Sequence, residues 1–138
     1  MPVSQNKVVT SQGLNTGQAI CTAAKVTYND AANAVLLFTA GANGAVVYSV
    51  KAAPRATVAA TQLQLYKSPD AGVTLNLFDL ALMLAYAMAA GTAPVPAKTD
   101  FGYSESVPLR LKAGERIYAA IGVALAGGVV FDAMGEDL

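Results

Sequence analysis

Apolar and polar residues alternate with a period of two along most of this chain, which is the pattern of β-strands covered on one face. The clearest case is residues 107–121, where two alternating runs flank a short break at 112–115. Gly114 in that break can adopt the positive φ of a tight, bulged turn. The pattern therefore predicts a β-hairpin over residues 107–121.

The same unit recurs earlier in the chain. Residues 34–51 contain a short apolar run, an Asn-Gly turn and an alternating run. Residues 57–77 contain the longest alternating run, a turn with Pro and Gly, and a returning strand. Both turns have residues that favour chain reversal, so each segment is predicted to be a hairpin. Residues 18–27 and 129–131 predict further strands.

Two segments depart from this pattern. Residues 80–90 are rich in Ala, Leu and Met, which favour helices but also fill buried strands. Either a strand or a short helical turn within a β framework fits them. Residues 92–104 carry two prolines and several hydroxyl groups and predict a long surface loop.

About eight strands with short, regularly spaced turns predict an all-β fold, a two-sheet β-sandwich of jelly-roll type, because two sheets can bury each other's apolar faces. We expect one sandwich domain over residues 18–138, preceded by an extended N-terminal arm over residues 1–17. The arm is mostly polar, and its scattered apolar positions favour contact with a neighbouring subunit. The arm residues that we expect at such an interface are Val3, Val8, Val9 and Leu14.

The low charge of the chain points to association with other proteins. Charged residues make up 13% of the chain and apolar residues 54%, against about a quarter charged in typical soluble domains. Large exposed apolar patches are rare on monomers, so we expect other chains to cover part of this exterior.

Charge and hydropathy also argue against two other kinds of partner. Nine basic and nine acidic residues give a net charge of +0, and without a basic run we expect no nucleic-acid partner. The apolar stretch at 80–90 is shorter than the roughly 18 residues of a membrane span, and the one at 117–131 is broken by glycines, so we expect no membrane segment. The polar start of the chain predicts no signal peptide.

Candidate catalytic and metal-binding residues are few. The chain has no histidine and one cysteine, Cys21, which excludes histidine-based triads and most zinc sites. Glycosidase chemistry needs only two carboxylates, but Asp30, Asp70 and Glu115 flank predicted turns. A calcium site at the acidic C-terminus lacks a dedicated loop pattern, so a solvated tail is expected. We predict a non-enzymatic protein without cofactor or metal, in which Cys21 is a small buried residue.

Four segments resemble small accessory structural proteins encoded by tailed bacteriophages: GANG at 41–44, PRAT at 54–57, QLQLY at 62–66 and PLRLKAGERIY at 108–118. The LKAGERIY part is also similar to the penultimate-strand hairpins of trimeric jelly-roll modules. The resemblance covers most of residues 34–131 and departs at 80–90. It implies a virion protein at the capsid surface that decorates or cements the shell, as a homotrimer, with the major capsid protein or other virion proteins as partners.

A second interpretation stays open. A receptor-binding or glycan-binding module of a phage tail tip or fibre would use an exposed aromatic residue in a loop, since sugars stack on aromatic rings. Such a module would use Tyr103 and the loop at 92–104 in which it lies.

Overall fold

A computed structural model describes residues 13–91 and 98–138, which form nine β-strands and no helix. The strands are β1 (Gly13–Cys21), β2 (Val35–Thr39), β3 (Ala45–Pro54), β4 (Thr61–Ser68), β5 (Asn76–Met83), β6 (Thr99–Asp100), β7 (Leu109–Leu111), β8 (Arg116–Ile121) and β9 (Val129–Asp137). The predicted all-β class is confirmed.

The strands form two antiparallel sheets. One has the order β1-β9-β3-β6, with β7 also paired to β3, and the other has the order β2-β8-β4-β5. The strand pairs are nested in the sequence: β1 pairs with β9, β2 with β8, and β4 with β5, so each pair lies between the members of the one before it. The predicted two-sheet sandwich is therefore confirmed.

The core lies between the two sheets. Inward positions alternate with outward ones along each strand, and the inward side chains of Val47, Leu63, Ile117 and Phe131 are fully buried. Cys21 belongs to the same core, as predicted. Burial raises the pKa of its thiol to about 12, so this cysteine remains a neutral thiol at physiological pH.

Two of the three predicted hairpins are wrong. The arms of 107–121 lie in different sheets, since β7 pairs with β3 whereas β8 pairs with β2 and β4. Likewise, β2 and β3 on either side of the Asn-Gly turn are in opposite sheets. Each turn carries the chain across the sandwich, and the two turns meet where Gly114 N–H donates to Gly41 O at 3.1 Å. Gly114 does have positive φ, at 69°.

The third hairpin is confirmed, since β4 and β5 pair directly. The segment at 80–90 continues β5 as far as Met83, and beyond it Tyr86 and Val58 exchange both backbone hydrogen bonds at 2.9 Å. The structure therefore favours the strand over the helical turn.

The expected boundary between arm and domain also moves. Residues 13–17 are the first half of β1, with Gly13 opposite Asp137, and the rest of the expected arm, residues 1–12, lies outside the described residues. The sequence concealed this strand because its inward positions are not apolar. Asn15 points inward and donates to Thr39 O at 2.8 Å, and a Cβ on Gly17 would overlap the carbonyl oxygen of Leu37.

Candidate interaction surfaces

Three exposed leucines occupy alternate positions along the chain, two of them in β5 and the third directly after it. Leu80, Leu82 and Leu84 are 47%, 63% and 71% exposed, and we call them the leucine row. They share one face because they are two residues apart in an extended chain. Burying them completely would contribute roughly 3–5 kcal/mol, since a fully buried leucine is worth about 1.5–3 kcal/mol.

The surroundings of the leucine row are uncharged. Residues 80–91 contain no Asp, Glu, Lys or Arg, and Met88 adds further exposed apolar surface. On β4, Gln64 is opposite Leu80 and Gln62 is opposite Leu82. A depression of about 240 Å³ is lined by Gln62, Leu80, Ala81 and Leu82. This surface can therefore bind an apolar partner without desolvating a charge of its own.

The strand that carries the leucine row is at an edge of its sheet. Among the described residues, β5 pairs only with β4. Gly122 N–H donates to Gln62 O at 2.9 Å, so the backbone groups of Gln62 face β8, and those of Thr61 and Leu63 pair with Met83 and Ala81 of β5. Because paired backbone groups alternate along an antiparallel ladder, the N–H and C=O groups of Leu80 and Leu82 point to the free edge.

A loop covers the adjoining outer face of the same sheet. Lys25, in the connection from β1 to β2, lies over the Tyr66 ring, with its Nζ 5.3 Å from the ring centroid. Its ammonium group is buried and donates to Asp30 O, Asp30 Oδ1 and Ala32 O at 2.8, 2.7 and 2.8 Å. Tyr66 and Ala120 are completely buried beneath this loop. The cover protects β4 and β8 and leaves the outward leucines of β5 exposed.

A second apolar surface lies on the outer face of the other sheet. Leu14 is 78% exposed and shares this face with Ile20 and Met134, which are also exposed. Leu14 is thus accessible, and its interface role stays a prediction. Val3, Val8 and Val9, predicted with it, lie outside the described residues.

Tyr103 is bound within the fold. Its hydroxyl donates to Asp79 Oδ2 at 2.6 Å, and its ring packs against the core. Burial, with the hydrogen bond to the Asp79 carboxylate as a second cause, raises the pKa of Tyr103 well above its usual range. The residue joins the loop before β7 to β5, whereas Leu14 is on the edge strand β1 of the other sheet. The structure therefore does not bring the two candidates together.

The acidic residues act mainly as hydrogen-bond acceptors within the fold. Asp30 and Asp70 accept bonds within their own loops, from Ala32 N and Thr74 N. The expected free acidic tail is wrong in part, because Asp137 lies in β9 and accepts bonds from Asn15 Nδ2 at 2.8 Å and Gly41 N at 3.0 Å.

Residues 13–91 and 98–138 contain no group of three or more His, Cys, Asp or Glu side chains placed to hold a metal ion. The same ranges contain no helix with the length and hydropathy needed to cross a bilayer.

The leucine row was not found by sequence reasoning. Ala81 and Met83 alternate with the leucines, so both faces of the segment are apolar and the period of two disappears from the pattern. The available signal was the absence of charge over residues 80–91. Neither a protein-family model, nor a curated protein, nor a solved structure matches this chain.

Proposed function

We propose that this protein is an accessory structural component of a tailed-phage virion, which binds the capsid surface through protein contacts as a homo-oligomer. Its partners in this proposal are the major capsid protein, or other virion proteins, and further copies of itself. The role requires no catalysis and no cofactor. It rests on the phage resemblance of residues 34–131 and on the surface chemistry of the described chain.

The exposed leucine row is the observation that carries the proposal. A strand edge with three exposed leucines and no charged residue from 80 to 91 is costly for an isolated protein, because such edges pair with other chains. A protein that works in an assembly has such surfaces covered by its neighbours. The low charged fraction of 13% is in keeping with that role.

The strand connections support the same role. We infer that the nested pairing of first with last strand, second with second-last, and so on inward, corresponds to a jelly roll. This architecture occurs in viral capsid domains, and also in lectins, so it fits both the leading proposal and the sugar-binding alternative. Tyr103 weighs against that alternative, because its ring is half-buried and its hydroxyl is already bonded to Asp79.

Co-sedimentation with empty capsids tests the proposal. Purified protein is mixed with capsids assembled from the major capsid protein encoded beside it, and the pellet is assayed for both chains. We expect saturable binding at a fixed ratio of this chain to capsid subunits. Protein that stays in the supernatant at every capsid concentration would refute the proposal.

A further inference from the structure

We propose that the free edge of β5 is where a second copy of this chain binds, with β5 of one copy antiparallel to β5 of the other about a twofold axis. The two β2-β8-β4-β5 sheets would then join into one eight-stranded sheet. The inference deepens the proposed function. It rests on that proposal only for the premise that this protein acts through contacts with other chains.

The backbone of β5 is suited to this pairing. Leu82 directs its N–H and C=O groups to the free edge, as does the C=O group of Leu80, whereas the Leu80 N–H donates to Asp79 Oδ1 at 2.9 Å. An identical strand running the opposite way presents the same groups at the same spacing. Edge strands that are left open are commonly protected by lysine, proline or a strong bulge. From Leu80 to Leu84 the strand has no proline or charge and no register shift against β4.

Side-chain chemistry favours a second copy over a partner of different composition. In an antiparallel pair about a twofold axis, leucines of one row meet leucines of the other. This requires the axis to lie at Leu82, so that Leu80 of one copy is opposite Leu84 of the other, and no like charges meet at that centre because residues 80–91 carry none. The net charge of the whole chain is +0, so there is no long-range repulsion between copies.

The surface that would be buried is sufficient for a specific contact. Nine residues from 76 to 84 extend for about 30 Å, and the sandwich edge with its side chains is about 20 Å deep, from the rise per residue and the separation of packed sheets. Pairing would thus bury about 600 Å² on each copy, and the total of about 1,200 Å² exceeds the roughly 1,000 Å² expected of a biological interface. An isologous contact of this kind closes at two copies, which differs from the trimer implied by the resemblance.

Light scattering on the purified full chain tests this inference, with two variants that disrupt pairing in different ways. Leu82→Glu places a carboxylate in each row, and we expect it to weaken self-association by at least about 30-fold, the loss typical of a central interface residue. Leu82→Pro removes an N–H that points to the free edge and is not used to pair with β4, so the sandwich should tolerate it. Val73→Glu is the control, because Val73 is 81% exposed in the turn before β5.

The expected result is a dimer of 14.1-kDa chains for the native protein and the control, and monomers for the other two variants with unchanged circular dichroism. A native monomer, a native trimer, or a dimer unaffected by Leu82→Glu would overturn the inference. A monomer that still sediments with capsids would refute the pairing and leave the capsid-binding role standing. A dimer that does not sediment with capsids would support the pairing and refute the capsid-binding role.

Discussion

Replacing Lys25 with methionine should destabilise the loop that covers one face of the sandwich. The Lys25 ammonium group is buried and donates three hydrogen bonds, to two loop carbonyls and to the Asp30 carboxylate. Lys25→Met keeps the aliphatic stem over Tyr66 and removes all three donors, together with the positive charge above the ring. The change therefore isolates the contribution of the ammonium group.

The magnitude follows from the number of lost contacts. Each hydrogen bond is worth about 1 kcal/mol net, because water can partly replace the lysine at the exposed side of the loop. The cation–π contact adds about 0.5–1 kcal/mol. We therefore expect Lys25→Met to lower the free energy of unfolding by about 3.5–4 kcal/mol, and the melting temperature by about 10 °C for a chain of this length.

Thermal and urea unfolding followed by circular dichroism would measure the effect. Lys67→Met is a suitable control, because the Lys67 Nζ lies 5.1 Å from the centroid of the Phe78 ring and the residue is only half-buried. The control should lose about 1 kcal/mol or less. Equal stability of Lys25→Met and the native protein would refute the view that this lysine fastens the loop.

Three further predictions concern the sandwich itself. Gly17→Ala should lower the free energy of unfolding by about 2–3 kcal/mol in urea titrations, because its Cβ would force β1 away from the Leu37 carbonyl. Ile117→Ala should cost about 2–5 kcal/mol in the same assay, since Ile117 is completely buried; a smaller loss would mean a loosely packed core. Hydrogen bonds from Lys25 and Thr27 lower the pKa of Asp30, so its carboxylate stabilises the fold fully above its ordinary pKa of about 4 and ceases to do so as pH falls through the lowered value. Stability should therefore decline in acid, and Asp30→Asn should reduce that decline; an unchanged pH profile would contradict the role of this contact.

The sequence pattern predicted which residues lie inward more reliably than it predicted which strands pair. Alternation reports burial of one face and carries no information about the hydrogen-bonded neighbour. The hairpin of β4 and β5 was therefore found because its turn joins strands of one sheet. The turns at 41–44 and 112–115 look the same in sequence, yet they carry the chain between sheets.

The candidate surfaces were predicted less well, also for physical reasons. Tyr103 was expected to be available for binding, but its hydroxyl is bonded to a carboxylate 24 residues away in the chain, a contact that only the fold creates. Leu14 was assigned to an arm because the inward positions of β1 are Asn15 and Gly17, which fill space next to β2 without being apolar. The leucine row was hidden by the apolar residues between its members.

The proposed virion role is tested most directly by electron cryomicroscopy of particles of the phage that this proposal implies, with and without the gene for this chain. If the protein is a capsid component, the shell of the native particle should show density for a small two-sheet sandwich at symmetry-related positions, and that density should be missing from particles that lack the gene. Identical shells in the two maps would contradict the account.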